Sequence, residues 1–426
     1  MSRFSHFGGL AARVAGNMLV DGAKQLSRGQ KPSSQNLLLT PTNIGHVANK
    51  LSHLRGAAMK LGQMISMDAG ELVSPELSAV LGKLRSDAAP MQHKQLLTLL
   101  KSHWGEDWLD NFSQFELRPF AAASIGQVHL ARLENGQKLA VKIQYPGVRD
   151  SIASDVDNVG TLLNMSGLLP AQVDMSDLLE ATKSQLQDEA NYALEASYIK
   201  KYQSHLNSAE FVVPQINESL TQGDILVMHF IEGETIEKAI NQPLNVRNQI
   251  VRNLIWLFLK ELFDFRLMQT DPNFANFLYD PASKKIGLLD FGATRVIPQH
   301  ISEGYQKLIT AGMNDNREDA LLAAKQIGFF NDQISPEYLD EVMKIFDMAC
   351  EPLKYDGEFN FATSQLASRV RDVGLNIKNH RSEWHTPPVD ALFIHRKLGG
   401  LYLLASKLNA SVNIKEIYTE FLHLRN

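Results

Sequence analysis

Three polar residues in one short region have the types and spacing of phosphoryl-transfer chemistry. Gln269-Thr270-Asp271-Pro272-Asn273-Phe274-Ala275-Asn276 is followed, ten residues later, by Ile286-Gly287-Leu288-Leu289-Asp290-Phe291-Gly292. Asp271 is suited to orient or deprotonate a hydroxyl or a water. Asn276 and Asp290 offer the hard oxygens that Mg2+ prefers when it sits on the phosphates of ATP. Asp-Phe-Gly by itself is a weak signal, because acidic turns after strands are common and three residues recur by chance. An Asp-x4-Asn one strand pair ahead of it makes solvated turn acids the poorer explanation.

Such chemistry needs elements that hold a nucleotide. Ala121, Ala122, Ala123, Ser124, Ile125 and Gly126 lie between two strand-like runs, Phe115–Leu117 and Val128–Leu133. This is where a kinase places its glycine-rich phosphate cover. Small side chains still let backbone N–H groups approach phosphate oxygens, but Ala disfavours the positive φ that Gly supplies, so a stiffer loop is expected. A plain hairpin with a small-residue turn fits this stretch equally well. Leu139-Ala140-Val141-Lys142-Ile143 follows as a strand with an internal lysine, a costly placement unless the ammonium is paired. It matches the strand whose lysine meets the α- and β-phosphates, with a structural salt bridge as the alternative. Asp174–Leu206 reads as one long helix carrying Glu189 and Glu195. Six residues apart, these lie about 120° around a helix at roughly 100° per residue, so they serve different partners. Lys142 and Lys60 are the candidates, and periodicity does not say which takes which. The strand over Asp224–Ile231 leads into a hinge whose backbone, within Met228–Ile231, would read adenine.

Ahead of this lies a helical extension. A helix from about Thr42 to Met67 carries Lys60-Leu61-Gly62-Gln63 on a stripe of Leu and Ala. Taken alone, the stretch is a core-packing helix with a snorkelling lysine. Further helices are expected from Pro75 to about Ala89 and from Gln92 to Gly105. Eight basic residues precede Gln63 against Asp21 alone, and Phe4, Phe7, Leu10, Val14 and Met18 recur at near-helical spacing. That segment suits docking on the body of the protein or lying on an anionic membrane surface better than a cleaved leader.

The larger remainder opens with a helix over Leu244–Phe265 and continues as helices to Asn426. No Ala-Pro-Glu follows Asp-Phe-Gly, so there is little platform for an extended peptide substrate. His395-Arg396-Lys397-Leu398-Gly399-Gly400 offers charges for phosphate or lipid headgroups, and a solvated basic helix face is its plainer reading. At 426 residues with net charge −5, the chain is long enough for two or three compact units and is no bulk nucleic-acid binder. A single cysteine, Cys350, excludes an internal disulfide framework and fits a reducing compartment. No run reaches the roughly 18 apolar residues of a spanning helix.

Taken together, these motifs resemble the UbiB (AarF-like) atypical kinases of ubiquinone biosynthesis. The matching pieces are Lys60–Gln63 (the KxGQ motif), Ala121–His129, Ala140–Val148, Gln269–Phe277, Leu289–Ala293 and His395–Gly400. The resemblance implies an α+β, bilobal protein-kinase-like fold with an N-terminal helical extension. The extension is expected over residues 1–110, the N-lobe over 111–235 and the C-lobe over 236–426. It implies Mg-dependent ATP binding and ATPase or kinase activity in support of a lipid-quinone pathway. Lys142 and Glu195 would form the ion pair, Asp271 would be catalytic, and Asn276 and Asp290 would hold metal. Lys60, Gln63 and Glu189 would place the extension where a protein substrate would otherwise sit. The implied partners are ATP, a lipid or quinone precursor, and other quinone-biosynthesis proteins. The implied location is cytoplasmic, peripheral on the inner membrane, or the mitochondrial matrix face in a eukaryote. One motif departs: the family's Glu-x-Asp reads Glu189-Ala190-Asn191, losing a charge and weakening any contact of that position with Lys60 or Mg2+. A protein Ser/Thr kinase and a nucleotide-gated lipid-binding scaffold are the competing readings.

Overall fold

The computed structural model describes residues 56, 57, 60, 90–166, 176–330, 335–377 and 388–425. Of the helix expected over Thr42–Met67, Gly56, Ala57 and Lys60 are described, and all three are helical. Gln63, the basic start and the helix expected from Pro75 lie outside the described residues. The described chain is α+β and falls into two compact units. One comprises the residues up to Leu194 with Ile216–His229; the other comprises Glu195–Gln215 with the residues from Phe230 onward.

The first unit opens with α1 (His93–Trp104), ended by Gly105 at φ 87°. Strands β1 (Gln114–Phe115), β2 (Ala121–Ala122), β3 (Gly126–Arg132) and β4 (Lys138–Gln144) follow, then helices α2 (Val148–Ser166) and α3 (Ser176–Glu189). Helix α4 (Tyr192–His205) and β5 (Phe211–Val212) come next in the chain, and β6 (Ile225–His229) returns to the first unit's sheet. That sheet runs β1-β3-β4-β6, with β2 also on β3 and every pair antiparallel. Alternation along β4 sends Leu139, Val141 and Ile143 to one face, where Leu96 and Leu100 of α1 and Ile225 and Val227 of β6 complete a closed core. Trp104, Trp108, Phe112 and Phe115 cluster at the end of α1 with centroids 5.1–6.5 Å apart, in tilted and edge-to-face pairs.

The long helix expected over Asp174–Leu206 is broken. α3 ends at Glu189, and α4 restarts at Tyr192, where the Asn191 side chain accepts the Leu194 N–H at 3.1 Å. Asn191 is therefore the N-cap of α4, where Asn and Asp serve almost equally. The interval between Lys142 and this pair of helices is filled by α2, which packs on α3 with Leu179 seated over Gly160.

In the second unit β7 (Glu234–Thr235) precedes α5 (Leu244–Leu259), whose Ile250, Val251, Leu254, Ile255 and Phe258 are all buried. The helix expected to run to Phe265 instead loosens after Leu259 into a π-helical turn, Lys260–Phe265, closed by Arg266 at φ 48°. Then come β8 (Leu267–Gln269), β9 (Phe277–Asp280), β10 (Lys285–Leu288) and β11 (Thr294–Val296). Helices α6 (Gln299–Met313), α7 (Arg317–Ile327), α8 (Pro336–Ala349), α9 (Leu366–Ile377), α10 (Val389–Lys407) and α11 (Ile414–Arg425) complete it. Strand β5 pairs in parallel with β10 in a sheet ordered β5-β10-β9-β7, while β8 pairs with β11.

Candidate active site

Two short ladders assemble the acidic residues of the second unit. In the first, Gln269 is opposite Thr294, and the Thr270 N–H donates to the Ala293 carbonyl at 3.1 Å. Asp271 therefore emerges beside the chain leaving Asp290-Phe291-Gly292. In the second, Phe277 is opposite Leu288, and the Leu289 N–H donates to the Asn276 carbonyl at 3.0 Å. Asn276 and Asp290 thus flank the mouth of one hairpin. Each acid is pinned by its own local turn. Asp271 accepts the Asn273 N–H at 3.2 Å, and Asp290 accepts the Gly292 N–H at 3.0 Å. The Asn276 side chain is buried, and its amide nitrogen has no hydrogen-bond partner among the described residues. The three residues picked out by spacing are therefore brought together.

Glu195 lies 1% exposed on α4, and its carboxylate accepts the Phe291 N–H at 3.4 Å. Ile199 and Tyr202 follow on the same helix face at i+4 and i+7. The Tyr202 ring meets Phe291 edge-on at 4.8 Å, so α4 grips the Asp-Phe-Gly turn through backbone and side chain together. Ile231 packs on β10 where Gly287 leaves room; a Cβ at 287 would lie 2.7 Å from its side chain.

The first unit carries the remaining candidates. Lys142 is opposite Val128 on β3 and Leu226 on β6, while Ala140 is opposite Leu130 and Met228. Opposed residues share a face, so Lys142, Val128 and Met228 occupy the side of the sheet away from the aliphatic core. The Lys142 ammonium is nearly buried, 5.4 Å from the centre of the Tyr192 ring. Ala121 pairs with Val128 and Ala122 with Gln127, and the Ala123 N–H closes on the Gly126 carbonyl at 2.9 Å. The alanine-rich stretch is thus a closed hairpin in which no residue from 121 to 126 has positive φ. That is why alanine can stand where glycine would be looser. Ser124 donates to one oxygen of Glu189 at 2.9 Å, and the other oxygen is bonded by Lys60. Gly56 lies against the same turn, its missing Cβ 2.7 Å from the Ser124 carbonyl. Of the two glutamates, Glu189 is the one that meets Lys60. Asn191 is turned to helix capping, a role its loss of charge does not disturb.

Sequence reading missed a second layer of polar residues. In the first unit the Met91 N–H donates to Gln127 Oε1, the Gln127 amide donates to His129 Nε2, and His129 Nδ1–H donates to the Glu116 carbonyl, at 2.8, 2.7 and 2.8 Å. Burial lowers the pKa of His129 and keeps the ring neutral, as this chain requires. In the second unit, His395–Gly400 is no solvated basic face. Lys397 is 2% exposed, Arg396 is buried under Phe393, and His395 is enclosed by Phe329, Phe346 and Tyr305. The burial of Glu261 by the π-turn, which no periodicity announces, provides the counter-charge for Lys397 at 3.1 Å.

Comparison with known proteins places the arrangement in context. A family model for the ABC1 atypical kinase-like domain matches residues 83–323. The atypical kinase COQ8, mitochondrial, of Saccharomyces cerevisiae is 34% identical over 424 residues, which cover 99% of this chain and 84% of that one. The atypical kinase COQ8B, mitochondrial, of Rattus norvegicus is 34% identical over 426 residues, covering 99% and 80%. Among solved structures, the Rv3197–erythromycin complex from Mycobacterium tuberculosis aligns over 96% of this chain and 97% of its own, with a TM-score of 0.60 and 20% identity, a likeness of fold.

Proposed function

Because this chain belongs to the family of the ABC1 atypical kinase-like domain, we propose that its site transfers or hydrolyses the terminal phosphoryl group of magnesium-bound ATP, with Asp271 positioning the acceptor. The protein has the kinase-like α+β fold of that family and is an atypical kinase of the ubiquinone-biosynthesis type. The observation that supports the site reading is the bond from Leu289 N–H to the Asn276 carbonyl, which holds Asn276 against the residue preceding Asp290 at one hairpin mouth. A carboxylate and an amide fit Mg2+, which takes few protein oxygens and completes its shell with phosphate and water. The Asn276 side chain is buried, and it is its amide oxygen, not the nitrogen, that would face Mg2+. Bound there, the ion would neutralise phosphate charge as the terminal group departs.

This chain's own residues supply the rest. Asp271 orients a water or small hydroxyl for in-line attack and takes up its proton. Lys142, on the core-averted face of its sheet, would pair with Glu195 and meet the α- and β-phosphates. Ala121–Gly126 would cover the phosphates, and the backbone of Met228–Ile231 would read adenine. Lys60 would tie the extension to Glu189, the contact from which control by the extension is proposed. The chain passes from Gly292 through β11 directly into α6 at Gln299, which leaves no long activation segment to hold a peptide. A small acceptor, a lipid or quinone precursor at a membrane surface, or water suits this better. No helix among the described residues is long and apolar enough to cross a membrane, so membrane contact would be peripheral, alongside other quinone-biosynthesis proteins.

The test is Mg-dependent ATP hydrolysis with and without anionic liposomes or quinone-precursor mimics. Liposomes should stimulate turnover, and Asp290→Asn should lower it at least a hundredfold. Equal turnover in wild type and Asp290→Asn would reject the site. ATP-dependent liposome binding with no turnover in either would favour a nucleotide-gated scaffold. In cells, Asp271→Asn at the native locus should deplete the quinone.

A further inference from the structure

In the second unit, one buried ammonium touches the strand leading to Asp271 and, through a single side chain, the backbone of Asp290. Lys397 lies on α10, some 126 residues after Asp271, and is 2% exposed. Its Nζ donates to the Gln269 carbonyl at 2.7 Å, to Gln269 Oε1 at 3.0 Å and to Glu261 Oε1 at 3.3 Å, with Glu261 Oε2 an ion-pair contact at 3.1 Å. The three hydrogen bonds, to the Gln269 carbonyl, Gln269 Oε1 and Glu261 Oε1, match the three hydrogens an ammonium has. With its Oε1 held by Lys397, the Gln269 amide nitrogen is aimed at the Asp290 carbonyl and donates to it at 2.9 Å. Tyr202 closes the array: its hydroxyl donates to Glu261 at 2.7 Å and accepts the Gln269 N–H at 2.7 Å.

A second contact lies one helical turn on. Gly400, three residues after Lys397, faces Pro272, and a Cβ at 400 would lie 2.5 Å from the Pro272 Cβ. The loop from 269 to 272 is therefore held against α10 at both ends, by charge at one and by close packing at the other. Fold stability alone does not call for a buried ion pair here, since apolar residues of similar volume often serve as well or better. A cation fixed on the carbonyl two residues before Asp271 does something an apolar side chain does not: it sets the direction of that peptide.

We propose that Lys397 is a positioning residue for phosphoryl transfer, fixing the loop that bears Asp271 relative to the turn that bears Asp290. This rests on the reading of Asp271 and Asp290 as catalytic and metal-binding. Misplacement of a reacting group by an ångström costs on the order of a hundredfold in rate. Lys397→Met alone strands the Glu261 carboxylate, so its effect mixes folding with function. Lys397→Met/Glu261→Gln removes both charges and keeps an acceptor for the Tyr202 hydroxyl. The double variant should melt at a temperature closer to wild type than Lys397→Met does. It should bind ATP within about threefold of wild type, yet lose at least tenfold in kcat and need several-fold more Mg2+ for half-maximal rate. Gly400→Ala gives an independent reading. Alanine favours the helix, so a fall in kcat with the melting temperature kept reports displacement of Pro272. Asp271→Asn is the control for the underlying assignment. If that control is inactive while the double variant and Gly400→Ala both keep wild-type kcat and Mg2+ dependence, Lys397 has no positioning role. If the control keeps its activity, the assignment of Asp271 fails first.

Discussion

Lys60 and Glu189 meet where water is almost absent, at 2% and 10% side-chain exposure, and this makes a single contact sensitive to mutation. A buried carboxylate that loses its cation keeps the cost of desolvation without the attraction that offset it. Lys60→Met should therefore destabilise the first unit by about 3–5 kcal/mol, read as a shifted urea midpoint with unchanged slope. Lys60→Met/Glu189→Met should recover most of that loss, because the charge is no longer stranded. The same logic explains which site residues could be read in advance. Asp271, Asn276 and Asp290 are joined by local ladders that lie wholly between Leu267 and Val296, so spacing encodes their meeting. Lys60 and Glu189 are separated by well over a hundred residues, and Lys397 and Glu261 likewise. Burial of a lysine leaves no trace in the identity of its neighbours along the chain, so His395–Gly400 looked like a wet surface.

At the scale of elements, the break between α3 and α4 is the clearest divergence from the sequence pattern. Ala190, Ala193 and Leu194 continue the apolar periodicity of α3, so the stripe runs unbroken through a point where the backbone stops. What ends it is Asn191, whose side chain competes for the Leu194 N–H that a continuing helix would use. An Asn with Glu195 in the turn it opens is a start signal, outweighed here by the longer hydrophobic pattern. Asn191→Ala should then cost about 1 kcal/mol of stability, while Asn191→Asp should be neutral or gain a few tenths through the helix dipole. Chemical denaturation of the two variants checks both signs. A loss of several kcal/mol in Asn191→Asp would mean that the missing charge matters for more than the cap. The π-turn after α5 is a parallel case. A helix was expected through Phe265, and helical backbone persists, but the wider turn carries Glu261 inward to Lys397.

For the whole molecule, two enclosed histidines, His129 fully buried and His395 ringed by aromatic side chains, contribute to how stability responds to acid. His129 in the first unit and His395 in the second are both held neutral, each with its pKa lowered by burial, that of His395 to about 4. His395 Nε2 is hydrogen-bonded to the Tyr305 hydroxyl at 2.9 Å, and Phe329 stacks on the ring with centroids 5.4 Å apart. Unfolded, both rings titrate near the ordinary 6.5, so between that value and about 4 the unfolded chain binds more protons than the folded one. Stability is therefore fully present above pH 6.5 and is lost as pH falls through that window, by at most about 3 kcal/mol for His395. The surface carboxylates whose pKa values are lowered, Asp315 beside Lys354 and Asp356 beside Lys415, lose their contribution only below the usual carboxylate range. The two effects thus separate along the pH axis. Urea midpoints measured from pH 7 to pH 4 should fall steadily from about 6.5 downward. His395→Gln should flatten that fall while leaving the further drop below pH 4 in place. A midpoint constant between pH 6.5 and 4.5 in the wild-type chain would show that the imidazole environments are not the apolar ones described, and with them the packing of α10 on α6 that encloses His395.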